Sequence, residues 1–391
     1  MPKALFVFTG IVYEKDNRYY TVNLTSEVFH KLYFPYCDKL VVCQRLKHTN
    51  DVSGLTEVDS SDIEFICPPY SPSSSSMYFV NRHKYFSFIE ELVKKCDFVV
   101  ERPGLLGCAA AKYAKMYNKP CVCEVVGNIF ASFWHHSLSG KFLAPFRELD
   151  TRRTVKNSKY TIYVTQKYLQ SQYPSSGKSI GISDVEIEKL DDKILAERIK
   201  KIDRYEVGHA YKMATVAGVN ARAKGQIYAL KAIRKLKKMG VNITYYLVGE
   251  GDQTYLRRKA KKYGISEQVI FTGAMPHQQV YDFLLDMDLY IQPSLHEGLP
   301  RSVVEAMSRA LPCLGSRTAG IPELIPDEMV FAKKNVDQIC KIIVNLTKED
   351  LKRFASISFE RAKEFEQDRL KTKRDEFFAD FLMDNNLTRD S

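Results

Sequence analysis

The sequence predicts an α/β protein made of two doubly wound parallel sheets. Three observations carry this expectation. Short β-branched and aromatic runs alternate with longer amphipathic helical patterns, which places helices on both faces of a parallel sheet. The alternation pauses over the polar stretch 174–212 and then resumes as a second series. The length of 391 residues exceeds what one core usually serves, and a hydrophobic content of 45% supplies apolar mass for two.

In chain order, strand-like runs fall at 4–8, 40–43, 63–67, 98–101, 121–126 and 161–164. Between them Tyr85, Phe88, Ile89, Leu92, Val93 and Cys96 recur at helical spacing. The Pro/Ser-rich piece 68–76 reads as a loop. The polar stretch holds one helical segment near 194–202, and the junction of the two domains is expected at 185–210. The second series has strand-like runs at 213–219, 243–248, 269–272, 289–292, 312–315 and 330–332. The last periodic piece, 365–383, is a basic and aromatic helix.

Composition narrows the function classes. Net charge is +11, which suits phosphorylated ligands, an anionic membrane surface or nucleic acid. The cations lie along helical segments, such as Lys231, Arg234, Lys235, Lys237 and Lys238, without the aromatic interleaving of a nucleic-acid platform, so no nucleic acid is expected. No apolar run reaches the ~18–20 residues that span a bilayer. The N-terminal residues read as a first strand and lack a signal-peptide layout, so a cytoplasmic location is expected. Nine cysteines include no Cys-x-x-Cys pair and read as buried reduced thiols, not a zinc site.

Four segments carry chemistry. The first, 296–307, reads His-Glu-Gly-Leu-Pro-Arg-Ser-Val-Val-Glu-Ala-Met. Glu297 sits in a Gly/Pro loop after an apolar run, and Glu305 sits in the first turns of a helix. Loops at the carboxyl ends of parallel strands are where open α/β sheets bind ligands, and a helix start offers orphan N–H groups to a phosphate. Ser302 and Glu305 also fit a Ser-x-x-Glu capping box, in which Glu305 would only secure the helix start. The second, 215–225, is a strand that ends at Gly218, a loop carrying Arg222 and Lys224, and a helix opened by Gly225 with Ile227, Leu230, Ile233 and Leu236 on one face. It gathers two cations and a helix N-terminus around one point. The third and fourth, 247–251 and 269–273, are strands that end in glycine turns at Gly249 and Gly273. Asp286-Met287-Asp288 precedes a strand instead of ending one, so no metal site and no cofactor are expected.

The run 297–305, with 310–316 and 319–325 after it and the Gly–x5–Lys-Gly loop 218–225 before it, resembles the signature of retaining, nucleotide-sugar-dependent glycosyltransferases of the GT-B fold, family 4. The likeness is good over 213–326 and general in layout before that. It implies two Rossmann-like domains facing a cleft: an acceptor-binding domain over 1–185, to which a C-terminal crossover helix at 366–391 returns, and a donor-binding domain over 186–365. It implies that Glu297 and Lys224 are catalytic. The donor would be held by Gly10, Gly218, Arg222, Lys224, Gly249, Phe271, Gly273, Glu297, Gly298, Leu299, Pro300 and Glu305, with Glu305 on the ribose hydroxyls. Where relatives carry Arg after the first glycine, Val219 stands here, with Arg222 as the substitute. Where they carry a first-domain histidine, Val126 stands, leaving Asn128, His135, His136 and Glu124 as acceptor-side candidates.

The implied activity is sugar transfer from a nucleotide-diphosphate sugar to a saccharide or lipid-linked saccharide acceptor, in the assembly of a bacterial surface polysaccharide such as capsule, exopolysaccharide or O-antigen. Positive groups take the place of a metal. Peripheral contact with the anionic inner face of the plasma membrane is expected, with the aromatic segment 130–134 at the interface. The alternatives are a nucleotide-sugar epimerase of the same shape and a degenerate, non-catalytic partner subunit.

Overall fold

The computed structural model describes residues 2–22, 24–59, 61–68, 79–136 and 138–387, with the side chains of 131, 135 and 136 outside the description. The chain divides into two compact units. Unit 1 comprises Met1–Ile182 and Lys373–Ser391, and unit 2 comprises Ser183–Thr372.

Unit 1 holds a nine-stranded sheet of β1 (Lys3–Lys15), β2 (Arg18–Thr21), β3 (Lys39–His48), β4 (Thr56–Val58), β5 (Ile63–Phe65), β6 (Phe98–Glu101), β7 (Cys121–Val125), β8 (Tyr160–Tyr163) and β9 (Lys178–Gly181). The pairs β5–β3, β3–β1, β1–β6, β6–β7, β7–β8 and β8–β9 are all parallel. Leu5, Val7, Val41, Val99, Leu106 and Ala110 are among the buried residues of its core. One expectation is corrected here. The first strand does not stop with its apolar run at 4–8, because β1 continues through 9–11 for 13 residues in all. The pairing of β1 with β3 shifts register between Val7 and Ile11, so Gly10 lies in an irregularity inside the strand. The strand survives because Thr9 is anchored on both sides. Its carbonyl accepts from Arg45 Nε (2.9 Å) and its hydroxyl from the Leu106 amide (3.1 Å). The true turn comes later, where Asp16 and Asn17 at φ 52° and 61° close a two-residue hairpin to β2.

The C-terminal helix Gln367–Asp384 passes into unit 1 from Lys373 onward. Its ring contacts in unit 1 include Phe378 stacked on Tyr36 at 4.0 Å and Phe381 edge-on to Phe98 at 5.5 Å. A buried charge cluster fastens it as well. Glu124, at the end of β7, accepts from Arg374 Nη2 (2.5 Å), Arg102 Nε (3.0 Å) and the Tyr33 hydroxyl (2.9 Å). Burial opposes that charge, but the two guanidiniums and the hydroxyl overcome it and hold the carboxyl at about 2.

Unit 2 is an all-parallel sheet of β10 (Tyr211–Val216), β11 (Ile243–Val248), β12 (Val269–Gly273), β13 (Leu289–Gln292), β14 (Cys313–Ser316) and β15 (Val330–Phe331), in the order β12-β11-β10-β13-β14-β15. Relabelled from the first strand this is 3-2-1-4-5-6, the doubly wound order whose direction reverses between β10 and β13. The helix Gln226–Lys238 buries Ala229, Leu230, Ala232, Ile233 and Leu236 against the sheet. A fully buried Leu or Ile contributes about 1.5–3 kcal/mol, so this face alone holds the helix in place.

Candidate functional site

The sheet of unit 2 makes the site at its switch point. Past β10 the chain turns through Gly218, forms a short 3₁₀ turn at Arg222–Lys224, and enters the helix Gln226–Lys238 through Gly225. Gly225 has φ 70°, and a Cβ there would sit 2.0 Å from the Pro293 carbonyl. Only glycine lets the β10 loop lie this close to the loop leaving β13. The contact is sealed by the Leu295 amide donating to the Ala223 carbonyl at 2.7 Å. The turn after β11 packs on the same loop. Gly249, at φ 148°, would place a Cβ 2.3 Å from the Ala217 carbonyl. The Val219 amide donates to Glu250 and the Gly249 amide to Gly273, each at 2.9 Å. Gly218, Gly249 and Gly273 thus belong to one hydrogen-bonded set of strand-end turns.

Lys224 and Glu297 meet across the switch point. The Lys224 ammonium lies 2.9 and 3.0 Å from the two oxygens of Glu297. Glu297 Oε1 also accepts from the Ser294 hydroxyl (2.6 Å) and from Gln292 Nε2 (3.0 Å). Gln292 is held in turn by the Tyr290 hydroxyl at 2.8 Å, and Tyr290 accepts from the Val216 amide at 3.3 Å. A relay of buried polar groups on β10 and β13 therefore fixes the rotamer of the carboxylate. The motif pattern did not reveal Gln292 or Ser294. The available signal was a glutamine closing the otherwise apolar strand Leu-Tyr-Ile-Gln, since a polar side chain buried there must bond to something.

The helix Arg301–Ser308 starts after Pro300, which occupies the N-cap with no side-chain cap bond. This disposes of the capping box: Ser302 lies inside the helix, its hydroxyl 3.5 Å from Gln292 Oε1, and does not cap it. Glu305 is buried with Oε1 2.8 Å from His277 Nε2. His277 is a third residue missed in the sequence, since only the packing of the helix His277–Asp286 brings it there. Gly298 is tied by its carbonyl to the Gly320 amide (3.0 Å), and Leu299 packs on the core beneath the helix.

Other candidates are placed differently. Arg222 is exposed and lies over the Tyr255 ring at 5.2 Å. Phe271 packs on the core of unit 2, with the Arg257 guanidinium 4.4 Å from its ring. Asp286 and Asp288 stand at the entry of β13, the end opposite Glu297. Asp286 is bound by Lys212 Nζ at 2.8 Å, and Asp288 by the Lys212 amide (2.8 Å), the Tyr205 hydroxyl (2.6 Å) and Lys201 (2.9 Å). In unit 1, Asn128 precedes the helix Ile129–His136 and shares a hydrogen bond with Tyr168. The side chains of His135 and His136 lie outside the described residues. Glu124 is committed to Arg374 and Arg102 and serves as an anchor of the C-terminal helix.

A parallel sheet with a basic loop and two acidic residues at its switch point defines a doubly wound ligand-binding unit. Comparison with known proteins makes this particular. Residues 197–362 match the family described as glycosyl transferases group 1. The chain is 32% identical to protein CapJ of Staphylococcus aureus over 346 residues, 87% of this chain and 85% of that one. It is 33% identical to the amylovoran biosynthesis glycosyltransferase AmsK of Erwinia amylovora over 109 residues, 26% of this chain and 27% of that one. The structure of HepE from Anabaena in complex with UDP matches with a TM-score of 0.62 at 14% identity, covering 97% of this chain and 100% of that one. The chain belongs to the group 1 glycosyl transferases, and its fold is GT-B.

Proposed function

We propose that this glycosyltransferase moves a sugar from a nucleotide-diphosphate donor, held by unit 2, to a saccharide or lipid-linked saccharide acceptor, held by unit 1, with retention at the anomeric carbon. The setting is bacterial surface polysaccharide assembly, which the likeness to AmsK supports. The observation that carries the reading is the Lys224–Glu297 pair at the switch point.

A departing diphosphate develops charge, and preorganised cations and helix N-termini stabilise it best. Lys224 supplies the cation and the start of the helix Arg301–Ser308 supplies oriented amides. Glu297 is saturated by Ser294, Gln292 and Lys224, which suppresses its nucleophilicity. Its role is to orient the donor sugar and to stabilise positive charge at the anomeric carbon. Retention then follows from front-face displacement assisted by the leaving phosphate, with Glu305 holding the ribose. An epimerase and a non-catalytic subunit are not favoured, since the family transfers sugars and Lys224, Glu297 and Glu305 are all in place.

Transfer from a panel of nucleotide sugars tests this. Lys224→Ala is expected to abolish turnover, while chelation with EDTA leaves it intact. Full turnover in Lys224→Ala overturns the assignment, and loss in EDTA restored by manganese overturns the metal-free mechanism.

A further inference from the structure

A cavity of about 640 Å³ lies within unit 1, a volume in the range of small-molecule sites. Its walls are the helix Leu105–Met116, the last turn of the helix Leu138–Asn157, and the entries of β7 and β8 at 120–121 and 159–160. Asn128 follows the other end of β7 and takes no part in it. Neither does Glu124, which is committed to the C-terminal helix.

The cavity is basic at its rim and acidic only at its floor. Lys112, Lys115, Lys119, Arg153 and Lys159 line it, against a single acid, Glu101. Acids on the neighbouring helices are engaged elsewhere: Glu90 by Lys94 at 3.3 Å, Glu148 by Arg152 at 2.7 Å, Asp150 by Arg147 at 3.4 Å, and Asp384 by the Tyr160 hydroxyl. Glu101 ends β6 at 0% exposure, and among the described residues neither of its oxygens has a nitrogen or oxygen partner. The Cys123 thiol beside it is only a weak donor. Buried oxygens are normally paired, and leaving them unpaired costs stability. The cavity that reaches Glu101 is the route by which stronger donors can arrive.

The two ends select the ligand. Cations gathered around one mouth suit a phosphate, the lysines as point charges and Arg153 as a fork. The carboxyl at the floor calls for hydroxyl or ammonium donors. An ammonium group would have to sit among five cations, so hydroxyls fit better. We infer that this cavity is a ligand site for a small phosphorylated polyol, with the phosphate on Lys115, Lys119, Arg153 and Lys159 and the hydroxyls donating to Glu101. The inference does not depend on the transfer reading, because it is tested without nucleotide or acceptor.

The full chain is titrated calorimetrically at pH 8 and low salt with sorbitol 6-phosphate, sorbitol and inorganic phosphate. Sorbitol 6-phosphate has neither the sugar ring nor the nucleoside of a donor. Saturable binding is expected for it, at least about tenfold tighter than for inorganic phosphate, with sorbitol weakest. Lys119→Ala combined with Arg153→Ala lowers its affinity at least about tenfold, as the loss of charge-assisted contacts should. Glu101→Gln lowers it about tenfold and leaves inorganic phosphate unchanged, which a purely structural role of Glu101 would not do. Lys224→Ala binds it as the parent does. A thermal melt of each variant confirms that it is folded, and hydrogen exchange on the parent should show protection by the ligand at 111–121 and 153–160. Absence of binding overturns the inference. Equal affinity for inorganic phosphate overturns it as an adventitious ion only, and loss in Lys224→Ala overturns it as capture by the loop of unit 2. Binding untouched by both the rim and the Glu101 changes overturns it as well.

Discussion

Glu305 is where two single-residue readings separate most cleanly. Its carboxylate is buried, one oxygen on His277 and none of it used to cap the helix. An amide in its place still bonds to an imidazole, so Glu305→Gln is expected to keep the melting temperature nearly unchanged. Hydrogen bonds from ribose hydroxyls to a carboxylate are worth roughly 1.5–3 kcal/mol, and their loss weakens donor binding about 10- to 150-fold. Calorimetric titration with the donor nucleotide beside a thermal melt checks this. A loss of stability with donor affinity preserved would assign Glu305 a purely structural role.

At the scale of elements, two buried carboxyls on neighbouring strands of unit 1 have opposite pH behaviour. Glu124 on β7 sits below its ordinary value of 4.5, at about 2, despite burial, because of Arg374 and Arg102. Its contribution is therefore complete above about pH 4.5 and disappears as pH falls toward 2. Arg374→Leu leaves that charge half-matched and is expected to cost about 3–5 kcal/mol at neutral pH, the usual loss when one partner of a buried pair is removed. Guanidinium unfolding followed by Trp134, which lies in unit 1, measures it. A cost below about 1 kcal/mol would show that the ring contacts alone hold the helix. Glu101 on β6 is the reverse case. It is fully buried, and among the described residues neither oxygen has a nitrogen or oxygen partner. Burial lifts it to about 7, with the Cys123 thiol opposing and the Glu124 charge adding to the rise. The folded state then binds the proton more tightly than the unfolded chain. Unit 1 loses stability as pH rises from about 4.5 to about 7 and is level beyond. Glu101→Gln is expected to remove that slope and to be more stable than the parent by about 3 kcal/mol at pH 8, which the same unfolding assay at several pH values tests.

The same elements show what could be read beforehand. The strands Phe98–Glu101, Ile243–Val248 and Leu289–Gln292 stand where the apolar runs placed them, since a parallel strand buried on both faces leaves a continuous hydrophobic signature. The strands Arg18–Thr21, Thr56–Val58 and Lys178–Gly181 went unseen, being short, polar and lateral in the sheet. The run at 4–8 stopped short of the true strand because Gly10 interrupts the apolar signal, and only the partner strand shows that the irregularity lies inside β1. At the site, the loop and helix positions of Lys224, Glu297 and Glu305 were legible as a motif. Their partners were not: Ser294, Gln292 and His277 are ordinary residues until the sheet and the helix His277–Asp286 bring them into reach.

For the molecule as a whole, the proposed division of labour between the units predicts where a donor nucleotide acts. A ligand bound only to the native state at about 100 times its dissociation constant stabilises it by about 2.7 kcal/mol. For a domain of roughly 150–250 residues each kcal/mol moves the melting temperature about 2–4 °C, so the matching nucleoside diphosphate should raise the transition of unit 2 by about 5–11 °C. The base is unspecified by the site, so a panel of nucleoside diphosphates is required, and a single base is expected to stand out. Hydrogen exchange locates the effect. Protection should grow in the turns 217–225 and 249–251 and in the segment 293–305, because the Lys224 loop, the Gly249 turn and the Glu297 loop are one hydrogen-bonded set. The segment 129–149 of unit 1 should stay unchanged, since the ligand tested carries no sugar and no acceptor. Lys224→Ala should erase most of the thermal shift, read against the variant's own ligand-free melting temperature, because its partner Glu297 is only 8% exposed and then keeps Ser294 and Gln292 alone as donors. Protection appearing mainly in unit 1, or a thermal shift that survives Lys224→Ala, would place the diphosphate elsewhere in the chain.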